Sequence, residues 1–162
     1  MATRKTARKS STRSRTPKDA IALLKADHKE VKTMVGQFNN SRSDSKKGQL
    51  AEQICAALGV HAEIEEEIFY PAAREALKKD GDLIDEAEVE HTSVKELIAK
   101  IKGGEPGSEL WEAQVKVLSE YVNHHVKEEE GEIFPKVRKT KLDLEGLGEQ
   151  LAQRKAELQG GR

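Results

Sequence analysis

Apolar residues recur at alternating spacings of three and four in four stretches of the chain that are otherwise rich in charged residues. This spacing places the apolar residues on one face of an α-helix, and that face must turn inward. A fifth, shorter stretch near the C-terminus has leucines on one side. The pattern predicts long helices over about residues 17–38, 47–79, 82–102 and 108–140, and a short helix over residues 144–158.

Residues with capping chemistry mark the predicted helix ends. Thr16 can cap the first helix and Ser108 the fourth. Pro71 and Pro135 are expected to kink or end the second and fourth helices. Because the connections are short, successive helices should be antiparallel neighbours. The predicted fold is an all-α, up-down-up-down four-helix bundle with a short C-terminal fifth helix.

The chain contains the same helical hairpin twice. Each predicted helix has an inward stripe, the row of residues on the face that turns toward the core. The stripe of the first helix recurs in the third after 63 residues, and that of the second helix recurs in the fourth after 64. The clearest matching words are HAEIEEEIFYP at residues 61–71 and HVKEEEGEIFP at residues 125–135. The repeats cover about residues 17–79 and 82–140. The predicted organisation is an arm over residues 1–15, a bundle over residues 16–140, and a C-terminal helix and tail over residues 141–162.

Four histidines and two glutamates lie on the inward stripes, and helix rise per residue puts them at a similar height in the bundle. No Lys or Arg lies on any stripe at that level. Burying two carboxylates costs several kcal/mol each unless they are paired, in order-of-magnitude terms. A divalent metal would offset that cost, because His and Glu bring nitrogen and oxygen donors to one ion. The candidate ligands are His28, His61, Glu65, His91, His125 and Glu129.

Several readings of this layer stay open. Each hairpin supplies two His and one Glu, which suggests a metal pair bridged by the carboxylates. Iron or manganese suits carboxylate-rich pairs in a bundle, zinc suits four-coordinate sites without redox work, and a purely structural layer is the plain alternative. His124 with Glu128 has the same spacing as His125 with Glu129, but the repeat and the stripe favour the latter pair. Tyr121, one turn before His125, is a candidate hydrogen-bond donor beside the metals. Solvent-facing positions are expected for Glu63, Glu66, Glu67, Glu128 and Glu130.

Composition and charge bear on the fold class and on the cellular compartment. Charged residues make up 35% of the chain and aromatic residues 4%, a balance that favours helix over sheet. No apolar run approaches the roughly 18 residues needed to cross a membrane, and a lone Cys55 fits a reducing cytoplasm. Residues 1–15 hold six basic and no acidic residues, so they are expected to be disordered. This arm is either a solubilising segment or a weak contact to nucleic-acid phosphates.

One His in the first helix, His-x-x-x-Glu in the second, one His in the third and His-x-x-x-Glu in the fourth resembles hemerythrin, specifically its bacterial HHE cation-binding relatives. The words EEEIFYP, GEIFP and LEGLGEQLAQRKAEL are similar to that family too, and the resemblance covers about residues 17–158. It implies two iron ions per chain with an oxo or hydroxo bridge, four terminal histidines, and Glu65 and Glu129 as bridging ligands. Oxygen-carrying hemerythrins have a further His where this chain has Lys95, so the resemblance implies that one of the two sites has a ligand fewer.

These observations favour a cytoplasmic di-iron protein that binds dioxygen, peroxide or nitric oxide at open positions on the metals. Removal of peroxide in a catalase- or peroxidase-like reaction is one activity such a centre could have. An iron or oxygen sensor that acts through a partner is an alternative. A zinc-stabilised structural bundle is another.

Overall fold

The computed structural model describes residues 19–160, which form helices and no strand. A π-helical segment, Glu65–Phe69, joins the second helix to the third, and another, Glu129–Ile133, joins the fifth to the sixth. A 3₁₀ turn, Lys78–Asp80, links the two hairpins. The helices are α1 (Ala20–Asn40), α2 (Asp44–Ile64), α3 (Tyr70–Leu77), α4 (Gly81–Lys102), α5 (Glu109–Glu128), α6 (Phe134–Arg138) and α7 (Leu144–Gly160).

Four helical columns form the bundle. The first is α1, the second is α2 continued by α3, the third is α4, and the fourth is α5 continued by α6. α1 packs along α2, and α4 packs along α5. The predicted all-α bundle with a C-terminal helix is confirmed.

Helix ends differ in detail from the predicted ones. α1 begins at Ala20, and the side chain of Asp19 caps it by accepting a hydrogen bond from the backbone N–H of Ala22. Thr16 and the basic arm lie outside the described residues. Ser108 caps α5 as predicted, because its side chain accepts from a backbone N–H in the first turn.

The helical path continues through both prolines by way of the π-helical segments. In the first hairpin the N–H of Tyr70 donates to the carbonyl of Glu65, five residues back. The second hairpin has the equivalent bond. Pro71 follows Tyr70 and sits in the first turn of α3, where a missing backbone N–H is tolerated. The expected disturbance at the prolines therefore takes the form of a wider turn just before each of them.

The C-terminal helix α7 lies across the first hairpin. It contacts α1, α2 and the π-helical segment Glu65–Phe69, and it buries Leu147 and Leu151. Gly148 allows the close approach, since a Cβ there would stand 2.8 Å from the backbone nitrogen of Ala20. Within residues 19–160, no helix covers the corresponding face of the second hairpin.

The core consists of two apolar clusters with a polar layer between them. One cluster contains Phe69, Phe134 and the leucines of α7. The other is built around Trp111, whose Nε1–H donates to the carbonyl oxygen of Ile101 at 3.2 Å. The six candidate ligands belong to neither cluster and are buried at the level between them. Among residues 19–160, no helix is long and apolar enough to cross a bilayer.

Gly148→Ala should lower the free energy of unfolding by about 1–3 kcal/mol, because the added methyl group would collide with the start of α1. Gly59→Ala is the matched control. It adds a Cβ with nothing within 4 Å inside α2 and should raise stability by about 0.5–1 kcal/mol. Urea unfolding measures both changes, and a neutral Gly148→Ala would contradict the close packing of α7.

Candidate metal centre

Two groups of buried donors face each other in the middle of the bundle. In one group the Nε2 atoms of His28 and His61 lie 3.1 Å apart. In the other, the Nε2 atoms of His91 and His125 lie 3.2 Å apart. Each of these four histidines is at most 8% exposed. Each group could hold one metal ion together with a carboxylate.

Glu65 touches both groups. Its Oε1 lies 2.8 Å from Nε2 of His61 and 3.3 Å from Nε2 of His91. The side chain is fully buried. One carboxylate therefore reaches a histidine from each hairpin.

Glu129 makes the equivalent connection from the other side. Its Oε1 lies 3.2 Å from Nε2 of His28, and its Oε2 lies 3.2 Å from Nε2 of His125. It too is fully buried. The two glutamates thus span the two donor groups in a symmetric arrangement.

These distances suit ligands of shared cations. Donor atoms about 2.1 Å from one ion stand about 3.0–3.4 Å from each other. Both carboxylate oxygens of Glu65 and Oε1 of Glu129 are buried and accept no hydrogen bond of good geometry within the described residues, although ring nitrogens are near. Buried acceptors normally have a partner, and a cation between the groups would provide one. The residues present fit a metal site.

Two of the histidines are fixed from behind by a carboxylate on the adjacent helix. Nδ1 of His61 donates to Oδ2 of Asp27 at 3.0 Å, and Nδ1 of His125 donates to Oε2 of Glu90 at 2.8 Å. Asp27 and Glu90 are equivalent positions in the two repeats. Such a bond orients the ring and directs Nε2 toward the centre.

The other two histidines face a second equivalent pair of acids. Nδ1 of His28 lies 3.3 Å from Oε1 of Glu130, and Nδ1 of His91 lies 3.4 Å from Oε2 of Glu66. The prediction that Glu66 and Glu130 simply face solvent is wrong, since both are partly buried against a ring. The sequence does carry a signal for all four acids. In each repeat, one of these acids directly precedes the stripe histidine of the first helix, and the other directly follows the stripe glutamate of the second helix.

A family model described as hemerythrin HHE cation binding domain matches residues 19–137. The chain belongs to this family. Cation binding is the property that the family's description states, and the donor groups of the structure fit it.

Two further proteins are similar to this HHE domain. The crystal structure of a hemerythrin HHE cation binding domain-containing protein from Mycobacterium kansasii superimposes with a TM-score of 0.74 at 25% identity, covering 88% of each chain. A protein from Nostoc sp. named DNA nickase is 30% identical over 116 residues. That match takes in 72% of this chain but 32% of the nickase, so the chain spans about a third of that protein's length.

The HHE domain breaks its repeat symmetry at one aromatic position. Tyr70 is fully buried, and its hydroxyl donates to Oε2 of Glu129 at 2.7 Å. The hydroxyl oxygen of Tyr70 also lies 3.1 Å from Nε2 of His91 and 3.3 Å from Nε2 of His125. The equivalent residue in the second repeat is Phe134. Only one of the two donor groups therefore has a phenolic oxygen beside it.

The other donor group has an apolar ring in that place. Phe134 stacks on the ring of His28, with centroids 5.9 Å apart and an angle of 7° between the planes. The two metal positions of the centre would thus differ in polarity. Alignment of the repeats is the sequence signal that could have found this difference.

The prediction of Tyr121 as a donor beside the metals is wrong. Tyr121 is 48% exposed, because it lies about 80° around α5 from the middle of the inward stripe. Tyr70 is the tyrosine at the centre. Its hydroxyl lies beside His91, in the half of the site that the resemblance leaves a ligand short.

Two other residues lie away from the centre. Nζ of Lys95 is 2.7 Å from Oε1 of Glu66, so its charge is directed to the outside of the bundle. His124 is exposed and lies 3.2 Å from Oε1 of Glu128. The alternative register thus falls on the surface, while His125 and Glu129 fall in the buried layer.

In the metal-free protein, protonated histidines balance the buried carboxylates. Burial alone would lower the pKa of His61, but the charge of Glu65 and the hydrogen bond to Asp27 raise it to about 10. Burial also opposes the charged form of His125, yet its contacts with Glu129 and Glu90 raise its pKa to about 11. At neutral pH His61 and His125 therefore hold protons that metal binding would release.

The metal-free protein should lose stability as the pH rises from about 6.5 toward 10. His61 and His125 bind protons more tightly in the folded chain than in the unfolded chain, so raising the pH removes a contribution that is complete below about 6.5. The slope is at most about 1.4 kcal/mol per pH unit for each histidine. Urea unfolding in a chelator at several pH values measures it.

His61→Gln is the control for this prediction. It removes one of the two titrating groups and should reduce the slope by about half. A free energy of unfolding that stays flat or increases over the same pH range would contradict the assigned proton positions.

Proposed function

We propose that this HHE domain binds two iron ions, and that dioxygen, peroxide or nitric oxide binds at open positions on them, with removal of peroxide as the reaction. The observation that supports the proposal is the position of Glu65 and Glu129. Each carboxylate touches one histidine of each donor group. A layer built only for packing has no need of two carboxylates that both connect the same two groups.

The donor set favours iron over zinc. Each metal position has two imidazoles and shared carboxylates, a mixture with open positions that is typical of non-haem iron. A structural zinc site is closed and tetrahedral, and thiolates are common among its ligands. The lone Cys55 is buried in the apolar cluster around Trp111, away from the donor groups.

An apolar cavity beside the histidines has room for a small ligand. It is bounded by the four rings and by apolar side chains, and about 30 Å³ of it is open to the centre of a water-sized molecule. That space suits a molecule of two or a few atoms and excludes a larger substrate. The apolar residues of its wall are Val31, Leu58, Ala62, Val94, Val122 and Val126.

The side chains of the centre have distinct tasks in this proposal. When bound, an iron pair would supply open coordination positions and redox chemistry for dioxygen, peroxide or nitric oxide. The four histidines would hold the metals through Nε2, and the acids behind them orient the rings. Tyr70 retains its proton, because burial and the charges of Glu65 and Glu129 raise its pKa well above the ordinary value. Its hydroxyl can therefore donate a hydrogen bond to a ligand at the centre.

Protein expressed with ample iron should contain two iron ions per chain and absorb in the near-ultraviolet. Two symmetric donor groups require that stoichiometry, and zinc produces no such absorption. Elemental analysis with a spectrum measures both. One iron per chain, or zinc alone at every iron supply, would contradict the proposal and favour a structural zinc bundle.

Tyr70→Phe should keep both metals and slow the removal of hydrogen peroxide by tenfold or more, because a preorganised hydrogen-bond donor contributes on the order of 10²–10³ in rate. Tyr121→Phe is the matched control on the surface and should leave the rate unchanged. If wild-type protein with two irons consumes no peroxide, an iron or oxygen sensor acting through a partner becomes the better interpretation.

We propose in addition that residues 1–15 make a weak contact to nucleic acid. The support is the arm's six basic and no acidic residues, together with similarity of the chain to a protein named DNA nickase. Deleting residues 1–15 should abolish DNA binding and leave metal content and melting temperature unchanged. Binding should also weaken steeply with salt, as phosphate contacts do. Equal DNA affinity with and without the arm would rule this contact out.

A further inference from the structure

The two hairpins are alike inside but differ on one outer face. In the first hairpin this face is apolar and lies against or beside α7. In the second hairpin the equivalent positions carry side chains that can bind a cation, and no helix within residues 19–160 covers them. The pairs, with the first-hairpin residue first, are Leu23 and Glu86, Val60 and His124, Ile64 and Glu128, and Ile68 and Glu132.

This face of the second hairpin opens into a narrow cleft between α4 and the column formed by α5 and its π-helical segment. The cleft reaches the candidate metal centre, because His125 and Glu129 form part of its wall. Glu129 is fully buried in this wall, and its Oε1, which lies 3.2 Å from Nε2 of His28 across the centre, accepts no hydrogen bond of good geometry within the described residues. The carboxylates along the cleft are Glu86, Glu90, Glu128 and Glu132.

Three of these side chains form a chelating group on the outer side. One donor atom each from Glu90, His124 and Glu128 lies within 4.8 Å of the others. Nε2 of His124 is 3.2 Å from Oε1 of Glu128. Glu90 also accepts the hydrogen bond from Nδ1 of His125. Glu90 therefore joins this outer group directly to a candidate ligand of the centre.

The other approaches to the centre are unfavourable for a cation. A groove between α1 and α5 reaches His28 and Glu130, but lysines line it: Lys25, Lys29, Lys32 and Lys127. None of these four lysines has an ion-pair partner within residues 19–160, so the groove has a positive potential that repels metal ions. No carboxylate of the described residues lines the apolar cavity, and the equivalent cleft of the first hairpin is filled by Leu23 and Ile64 beneath α7.

We propose that the acidic cleft takes up divalent metal ions from solvent and passes them to the centre, with Glu90, His124 and Glu128 as the outer binding site. This inference rests on the proposed metal-binding function. The carboxylates raise the local concentration of cations at the mouth of the cleft. About 10 Å³ of the cleft is open to the centre of a water-sized molecule, so an ion exchanges its waters for carboxylate oxygens in turn.

The test is the rate at which metal-free protein binds Co²⁺, followed by visible absorption after rapid mixing at low ionic strength. His124→Gln combined with Glu128→Gln and Glu132→Gln should slow uptake by tenfold or more. The uptake rate of the wild type should fall as salt is added, and the variant should lose most of that dependence. Both proteins should reach the same final metal content, because no residue of the centre is changed.

Glu52→Gln with Glu105→Gln is the control, since it also removes two negative charges, but at exposed positions outside the cleft. It should load at the rate of the wild type. Equal rates for all three proteins, with two metals bound at the end, would overturn the uptake route and leave the proposed function intact. Failure of the wild type to bind two metals at any rate would instead overturn the proposed function.

Discussion

Glu65 and Glu129 are fully buried, and a buried carboxylate requires a positive charge or hydrogen-bond donors close to it. The four imidazoles around them meet this requirement in either of two ways. Without metal, His61 and His125 carry protons, as their raised pKa values indicate. With metal, the cations replace those protons at nearly the same donor positions. Protons and metal ions therefore compete for the same donor atoms, which the helices of the bundle hold in position.

The acids that accept hydrogen bonds from the histidine rings also need a positive charge or a donor close to them. Asp27 is buried and accepts hydrogen bonds from Nδ1 of His61 and from Nζ of Lys155, at 3.0 and 2.5 Å. Burial alone would raise the pKa of Asp27, but His61 and Lys155 lower it, so the group stays charged. The C-terminal helix thus supplies a cation to the first hairpin as well as an apolar cover. In the second hairpin no lysine of residues 19–160 pairs with the equivalent acid, Glu90, which faces the narrow acidic cleft.

The sequence was sufficient for the features that depend on periodicity. The stripes predict the bundle, and the 63- and 64-residue shifts predict that His28 and His61 reach the same layer as His91 and His125. It was not sufficient where the three-dimensional neighbour decides the outcome. Periodicity cannot show that Glu66 turns toward a ring while Glu63 does not.

The choice between two tyrosines illustrates the same limit. Tyr121 lies one turn before His125, but it is exposed because it lies about 80° around α5 from the middle of the inward stripe. Tyr70 falls outside the regular stripe, and the π-helical segment before it sets its direction. A repeat alignment would have shown that Tyr70 is paired with Phe134, and hence that the two halves of the centre differ.

The arrangement of metals around the two glutamates is the central claim, and anomalous X-ray scattering at the iron absorption edge tests it most directly. Crystals of iron-loaded protein should give two peaks per chain. One should lie between His28 and His61, the other between His91 and His125, with a carboxylate of Glu65 or Glu129 on each side of the pair. A single peak, or peaks bound only by surface carboxylates, would contradict the account.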